Sequence, residues 1–427
     1  MQNVATLGKY SIGIGDRFGC QGEALLTAVI EARRLGVDVT PVWNKSYREH
    51  SLIGTIPEDV RREADSAVKA LDWHGPYFVD ADHITLQTVD YFVTSSDFFT
   101  LDVSEYIGTM PSRSEGIDDE TEKFVSTYRK YMGELSFPGT NEVFYVTPER
   151  IRTIARKYLP AILQAAKICK KIEQTKGSLS NYIIELSMDE TLSPQTPLEL
   201  FFILAGVHYY KVPLNTIAPK FSGRFNKGVD YAGDINQFAA ELNLDMAVIS
   251  FAIKEFGLNP YMKLSVHSGS DKFSLYEIMH NIIKKRGAGL HLKTAGTTWL
   301  EELAGLATCP DGLEICKQIY EKAYYRREEL CKPYSTVIDI DPSKLPTPEV
   351  VKSWSSYEFI SALRHDQGCS QFNPHLRQLL HVGYKIAAEM KETYLEMVRS
   401  HKNTISTFVT ENILERHLKP IFLGRQS

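Results

Sequence analysis

The feature that most constrains this chain is a repeated order: a short apolar strand, a polar loop at its C-terminal end, then an amphipathic helix. Seven segments carry the strand pattern, at 10–14, 37–42, 77–79, 182–186, 214–218, 261–266 and 289–292. In the sixth, Met262, Leu264 and Val266 alternate with Lys263 and Ser265, the period of two that a sheet imposes. Most are followed by a helix-period run, among them 23–35, stopped by Gly36, and a run opened by the capping box Thr196-Pro-Leu-Glu199. Such repetition predicts an α/β chain folded as a (β/α)8 TIM-type barrel, with an open doubly wound sheet as the alternative. No equally plain segment supplies the eighth strand; 98–107 and 336–340 are further strand candidates.

Two stretches break the rhythm. Residues 105–176 read as a helical insertion, with one helix over 118–135 and a longer one opened by Thr147-Pro148. Residues 301–427 read as a mostly helical part packed on a barrel that occupies 1–300.

Composition limits the partners. A chain of 427 residues with net charge −5 and no basic block is not built for nucleic acid or an anionic membrane. No apolar run approaches the roughly 18–20 residues that span a bilayer, and the N-terminus lacks the shape of a signal peptide. The six cysteines are scattered without a C-x-x-C pair, which predicts reduced thiols and a cytoplasmic protein. A homo-oligomer stays open.

The polar loops carry the chemistry. Gly13-Ile-Gly15-Asp-Arg-Phe-Gly19 is one residue too long for a dinucleotide fingerprint and puts Asp16 and Arg17 where pyrophosphate would approach, so it reads as a turn presenting Asp16, Arg17 and Gln21. Asp80-Ala-Asp82-His83 places carboxylates beside an imidazole at a strand end, a combination that suits a base next to a metal ligand. His267 ends the strand 261–266, and His291 lies within the next, between Leu290 and Leu292, where a packed core residue is the plainer reading. Imidazoles with carboxylates, here Asp230 and Asp234 from the preceding loop, make mixed nitrogen–oxygen metal sites. Glu185 faces a barrel interior by alternation, and Glu190 follows the same strand. Arg17, Arg224, Lys272 and Lys293 are strand-end cations suited to clamping an anion.

Several of these blocks resemble the tagaturonate epimerase family. They are Gly13–Gly19 with Gln21-Gly22, Asp80-Ala-Asp-His-Ile84, Ser187-Met-Asp-Glu190, Arg224–Asp234, Lys263–Phe273 and His291–Trp299. The resemblance implies interconversion of tagaturonate and fructuronate with a divalent cation, zinc, manganese, nickel and cobalt being undistinguished. It further implies metal ligands His83, Asp234 and His267, with Asp82 and Glu190 as the acid/base pair. Glu185 and Asp189 compete with Glu190 for its role. Ser268, Ser270 and Asp271 are expected to meet sugar hydroxyls, and Arg17, Gln21, Arg224, Asp230, Lys272 and Lys293 the rest of the sugar acid.

The two ketouronates differ at carbon 4, two bonds from the carbonyl at carbon 2. Enolisation alone cannot invert that carbon; retro-aldol cleavage between carbons 3 and 4, rotation and re-addition can. The rival readings are a Schiff-base aldolase using Lys293 or Lys263, and a non-catalytic sugar-acid binding protein.

Overall fold

In the computed structural model, which describes residues 6–108, 117–177, 181–294 and 296–424, eight parallel strands close into a barrel. They are β1 (Tyr10–Ile14), β2 (Val39–Ser46), β3 (Phe78–Ile84), β4 (Phe98–Asp102), β7 (Ile183–Ser187), β8 (Thr216–Ala218), β9 (Lys263–His267) and β10 (Leu290–Lys293). Around the barrel each strand pairs with the next in that order, and β10 returns to β1. The eighth strand is Phe98–Asp102, between β3 and β7, so the candidate at 98–107 belongs to the barrel. The candidate at 336–340 contains no strand.

Alternation along the strands sorts their side chains into two environments. Ile12, Ile14, Val79, Ala81, Phe99, Leu101, Ile184, Leu186, Leu264, Val266, Leu290 and Leu292 are buried outward, beneath the helices. The inner face is layered. Leu7, Val42, Phe78, Phe98 and Ile183 form a separate apolar plug. Beyond it toward the C-terminal ends lie Asp80, Thr100, Glu185, Thr216, His291 and Lys293, all buried. Closing an apolar plug under a polar layer sets the chemistry at the C-terminal end of the barrel.

The segment after β4 holds a helix at Ile117–Thr127, an antiparallel hairpin of β5 (Gly133–Ser136) and β6 (Val143–Val146), and a long helix at Pro148–Lys176. The helix expected over 118–135 therefore ends early, and its last residues enter the hairpin. Thr147 and Thr196 cap their helices through their side chains, as expected of those motifs. At the C-terminus the helix Lys402–Ile413 packs on Thr297–Leu306 and on Gly22–Arg34. Among the described residues, no helix is long and apolar enough to cross a membrane.

Candidate active site

The site begins with an irregularity in β3. Its register against β4 shifts between Ala81 and Ile84, and His83 has φ +53°. Regular alternation would send neighbouring residues to opposite faces. The bulge breaks it, so Asp82 and His83 serve the same site. A non-glycine residue held in the left-handed region is uncommon and costs energy, so the surrounding structure must enforce it.

His83 meets His267, at the end of β9, with ring centroids 5.3 Å apart. Asp189, two residues beyond β7, completes the group: His83 Nε2 lies 3.3 Å from its Oδ1 and His267 Nδ1 lies 3.1 Å from its Oδ2. One ligand atom from each of the three falls within 4.8 Å of the others, a spacing that would hold a metal ion. The second nitrogen of each ring is engaged by a carboxylate, His83 Nδ1 with Asp82 Oδ1 at 2.8 Å and His267 Nε2 with Glu185 Oε1 at 2.8 Å. That is how proteins fix the tautomer and angle of a metal-binding imidazole. Two imidazoles and a carboxylate suit zinc, manganese, nickel or cobalt alike.

Lys293 sits behind this group. Its Nζ lies 2.8 Å from Asp80, 2.8 Å from Asp82 and 3.3 Å from Glu185, and donates to Thr100 Oγ1 at 2.5 Å. Gly13 makes room for it, since a Cβ there would come within 2.7 Å of Lys293 Cγ. Burial pushes Asp80 up to about 7, opposed by Lys293 and reinforced by Asp82 and Glu185. Burial would also raise Asp82 and Glu185, but Lys293 and the adjoining imidazoles hold both below the usual carboxylate range. Burial would lower His83 and His267, and the carboxylates of Asp82, Asp189 and Glu185 outweigh it and raise both.

Several expected site residues are placed elsewhere. The carboxylate brought to the two imidazoles is Asp189, not Asp234, which is exposed and accepts from the amides of Asn236 and Gln237 as the N-cap of the helix Ile235–Phe256. Asp234 followed by an apolar helix-period run is itself an N-cap signal. Glu190 is exposed one residue past Asp189. Arg224 is exposed and pairs with Asp339 at 3.2 Å. Asp230 accepts from Ser274 and from Gln367 Nε2, tying a loop to the start of a helix. Ser268 Oγ donates to the Lys293 carbonyl, and Gln21 is buried beside Glu302.

The turn after His267 dives beneath the loops. Asp271 is fully buried, 2.6 Å from Arg377 and 3.3 Å from His365, and accepts from Thr297. Lys272 Nζ donates to the carbonyls of Asn226, Val229 and Asp271 and to Ser270 Oγ, which also accepts from the Gly228 amide. These groups fasten the barrel to its C-terminal helices and are not free for a sugar. Arg17 is buried, bonded to Glu49 and to the His381 carbonyl, with its guanidinium 3.9 Å above the Tyr384 ring.

The lysines proposed as Schiff-base nucleophiles fit that role poorly. Lys293 is held protonated by its three carboxylates, well above its ordinary value despite burial. Lys263 is pushed by burial down to about 7, yet its Nζ donates to the carbonyls of Leu7, Gly8 and Lys9 at the opposite end of the barrel. His291 is a core residue, bonded to Ser11 and kept neutral by burial, which lowers it to about 3. A cavity of about 880 Å³ also lies at the opposite end, lined by Leu7, Val212, Asn215 and Tyr261, away from the site's groups.

Comparison with known proteins adds a second line. The family model for tagaturonate epimerase matches residues 2–421. The tagaturonate/fructuronate epimerase of Thermotoga maritima is 28% identical over 420 residues, covering 96% of this chain and 80% of that protein. Among solved structures, the native fructuronate–tagaturonate epimerase of Cohnella laeviribosi superposes with a TM-score of 0.78 at 25% identity, covering 96% of this chain and 81% of that one. The same enzyme complexed with two glycerols gives 0.78 at 26%, covering 98% and 83%.

Proposed function

This chain belongs to the tagaturonate epimerase family, and from that premise we propose that it interconverts D-tagaturonate and D-fructuronate with a divalent cation held by His83, Asp189 and His267. It is an isomerase of the epimerase class. The observation that carries the metal reading is the convergence of His83 Nε2, His267 Nδ1 and the Asp189 carboxylate, with the far nitrogen of each ring secured by Asp82 or Glu185. Such a cation would supply Lewis-acid stabilisation to substrate oxygens that become negative in the reaction.

The protein's own groups then have proton and positioning work. Asp82 Oδ1 is shared by His83 and Lys293, while Oδ2 makes no hydrogen bond among the described residues. That oxygen takes the proton of the carbon-4 hydroxyl. The bond between carbons 3 and 4 breaks, its electrons pass into an enediolate over carbons 2 and 3, and carbon 4 becomes an aldehyde. The aldehyde turns about the bond between carbons 4 and 5, carbon 3 re-adds to its other face, and the new oxyanion at carbon 4 is protonated. Turning moves that oxygen away from Asp82, so a second group protonates it; Glu190, exposed one residue past Asp189, is the candidate, giving its own proton and regaining one from solvent as Asp82 releases the one it took. Lys293 stays charged throughout, keeps Glu185 ionised, and holds Asp82 in place and ionised until it takes the proton.

The test is conversion of D-tagaturonate by purified protein. Activity lost to a chelator and restored by metal is the expected result; full activity after exhaustive chelation overturns the metal reading. Solvent deuterium at carbon 4 after a single turnover would replace cleavage with deprotonation at that carbon.

A further inference from the structure

The unsatisfied polar groups of the molecule include an imidazole that lies outside the metal-binding group. His381, in the helix Pro374–Val382, is 1% exposed, and neither of its ring nitrogens has a hydrogen-bond partner among the described residues. Leaving such a ring unpaired is costly unless something not present in the protein itself satisfies it. Its Nε2 points at the start of the helix Thr297–Leu306: a Cβ on the N-cap, Gly296, would come within 2.5 Å of that nitrogen and 3.3 Å of Arg17 Nη2. Gly296 has φ +100°, so it is bare both by conformation and by crowding.

The surroundings are cationic, and carboxylates meet only part of that charge, Glu49 on Arg17 and Asp271 on Arg377. Arg17 spends Nε on Glu49 and Nη1 on the His381 carbonyl, while Nη2 has no partner among the described residues. Lys227 is half-buried, and its ammonium makes no hydrogen bond or ion pair among the described residues. A Cβ on Gly269 would lie 3.5 Å from that ammonium. Burial and then Arg17, Lys227, Arg377 and Lys272 all act to keep His381 neutral, which marks a locally positive potential. Gly269 follows His267 by two residues, and Gly296 follows Lys293 by three, so these groups lie just past the ends of β9, which carries the metal-binding His267, and of its neighbour β10.

We infer that these groups hold the carboxylate of the sugar acid, with Lys227 and His381 donating to it and Arg17 and the N-terminus of the helix Thr297–Leu306 adding fixed positive charge. The inference rests on the sugar-acid reading and assigns its anion contact to Lys227, within the Arg224–Asp234 block, and to His381. It also gives the contact a mechanistic purpose. Cleavage between carbons 3 and 4 leaves the carboxylate on the three-carbon aldehyde, so an anchored carboxylate keeps that fragment in place while its aldehyde end turns.

Lys227→Gln tests it, since Lys227 is half-buried and its ammonium holds no other group among the described residues. The expected result is a rise of about tenfold or more in KM for D-tagaturonate, with bound metal unchanged and recovery in Lys227→Arg. D-glycerate, which carries the same carboxylate beside a hydroxyl, provides a readout free of turnover. Calorimetry should find it at least about tenfold weaker on Lys227→Gln than on the parent protein. Equal binding of D-glycerate to both, or binding to neither, overturns the site whatever the activity. Binding that depends on Lys227 in a protein that does not convert D-tagaturonate would keep the anion site and remove the epimerase reading instead.

Discussion

Replacing Lys293 by methionine is the perturbation that reaches furthest into this structure. The side chain is 4% exposed and its ammonium contacts Asp80, Asp82 and Glu185, two of them fully buried. Methionine fills much of the same volume, so loss of charge dominates over loss of packing. Removing one partner of a buried ionic cluster costs about 3–5 kcal/mol, because the remaining charges stay desolvated. Two carboxylates would answer by taking up protons, and Asp82 and Glu185 are the groups that orient His83 and His267. Loss of such outer contacts weakens metal binding by about 10–100-fold, roughly 1.4–2.8 kcal/mol. Urea denaturation of the metal-free protein and metal titration of the folded protein measure the two effects separately. A Lys293→Met protein with an unmoved urea midpoint and a metal affinity within about twofold of the parent would refute the coupling described here.

Other expectations are simpler. Asp189→Asn should abolish stoichiometric metal binding, whereas Asp234→Asn should leave it intact; elemental analysis of the two proteins decides between these carboxylates. Asp234→Ala should cost only the cap, about 1 kcal/mol. Metal uptake near pH 7 should release protons, because Asp82, Asp189 and Glu185 raise His83 and His267 against the lowering effect of burial. The metal competes with those protons, so affinity should fall as pH drops, which a pH-dependent titration reads directly. Borohydride with a ketose should trap no adduct on Lys263 or Lys293; a reduced adduct on either would revive the aldolase reading. Arg377→Met should destabilise by about 3–5 kcal/mol through the stranded Asp271.

Much of this was legible in the sequence because parallel strands alternate strictly and end in polar loops. Seven strand segments and the caps at Thr147 and Thr196 follow from local patterns. The eighth strand, Phe98–Asp102, was less plain because a hairpin and a helix intervene before the long helix that covers it. His83 and His267 emerged from their strand ends and from the family motif. Asp189 did not, since nothing local tells which carboxylate of Ser187-Met-Asp-Glu190 turns inward; the loop geometry does. Asp271 and Lys272 looked like sugar contacts because they are polar and close to His267. Their partners, Arg377 and the carbonyls of Asn226 and Val229, lie far away in the chain and leave no trace in the local pattern.

The buried pair of Asp271 and Arg377 has a consequence for the order in which the molecule can be made. His267 and Asp271 share one short turn, and the arginine that fixes it is synthesised more than a hundred residues later. The barrel has the same dependence at its seam, because β1 waits for β10, and the first helix is covered by Lys402–Ile413. A nascent chain therefore carries open sheet edges and an unanchored ligand turn until its last helices emerge. Ribosome-bound chains arrested before Arg377 should be protease-sensitive across the 267–272 turn, and protection should arrive only with the C-terminal helices.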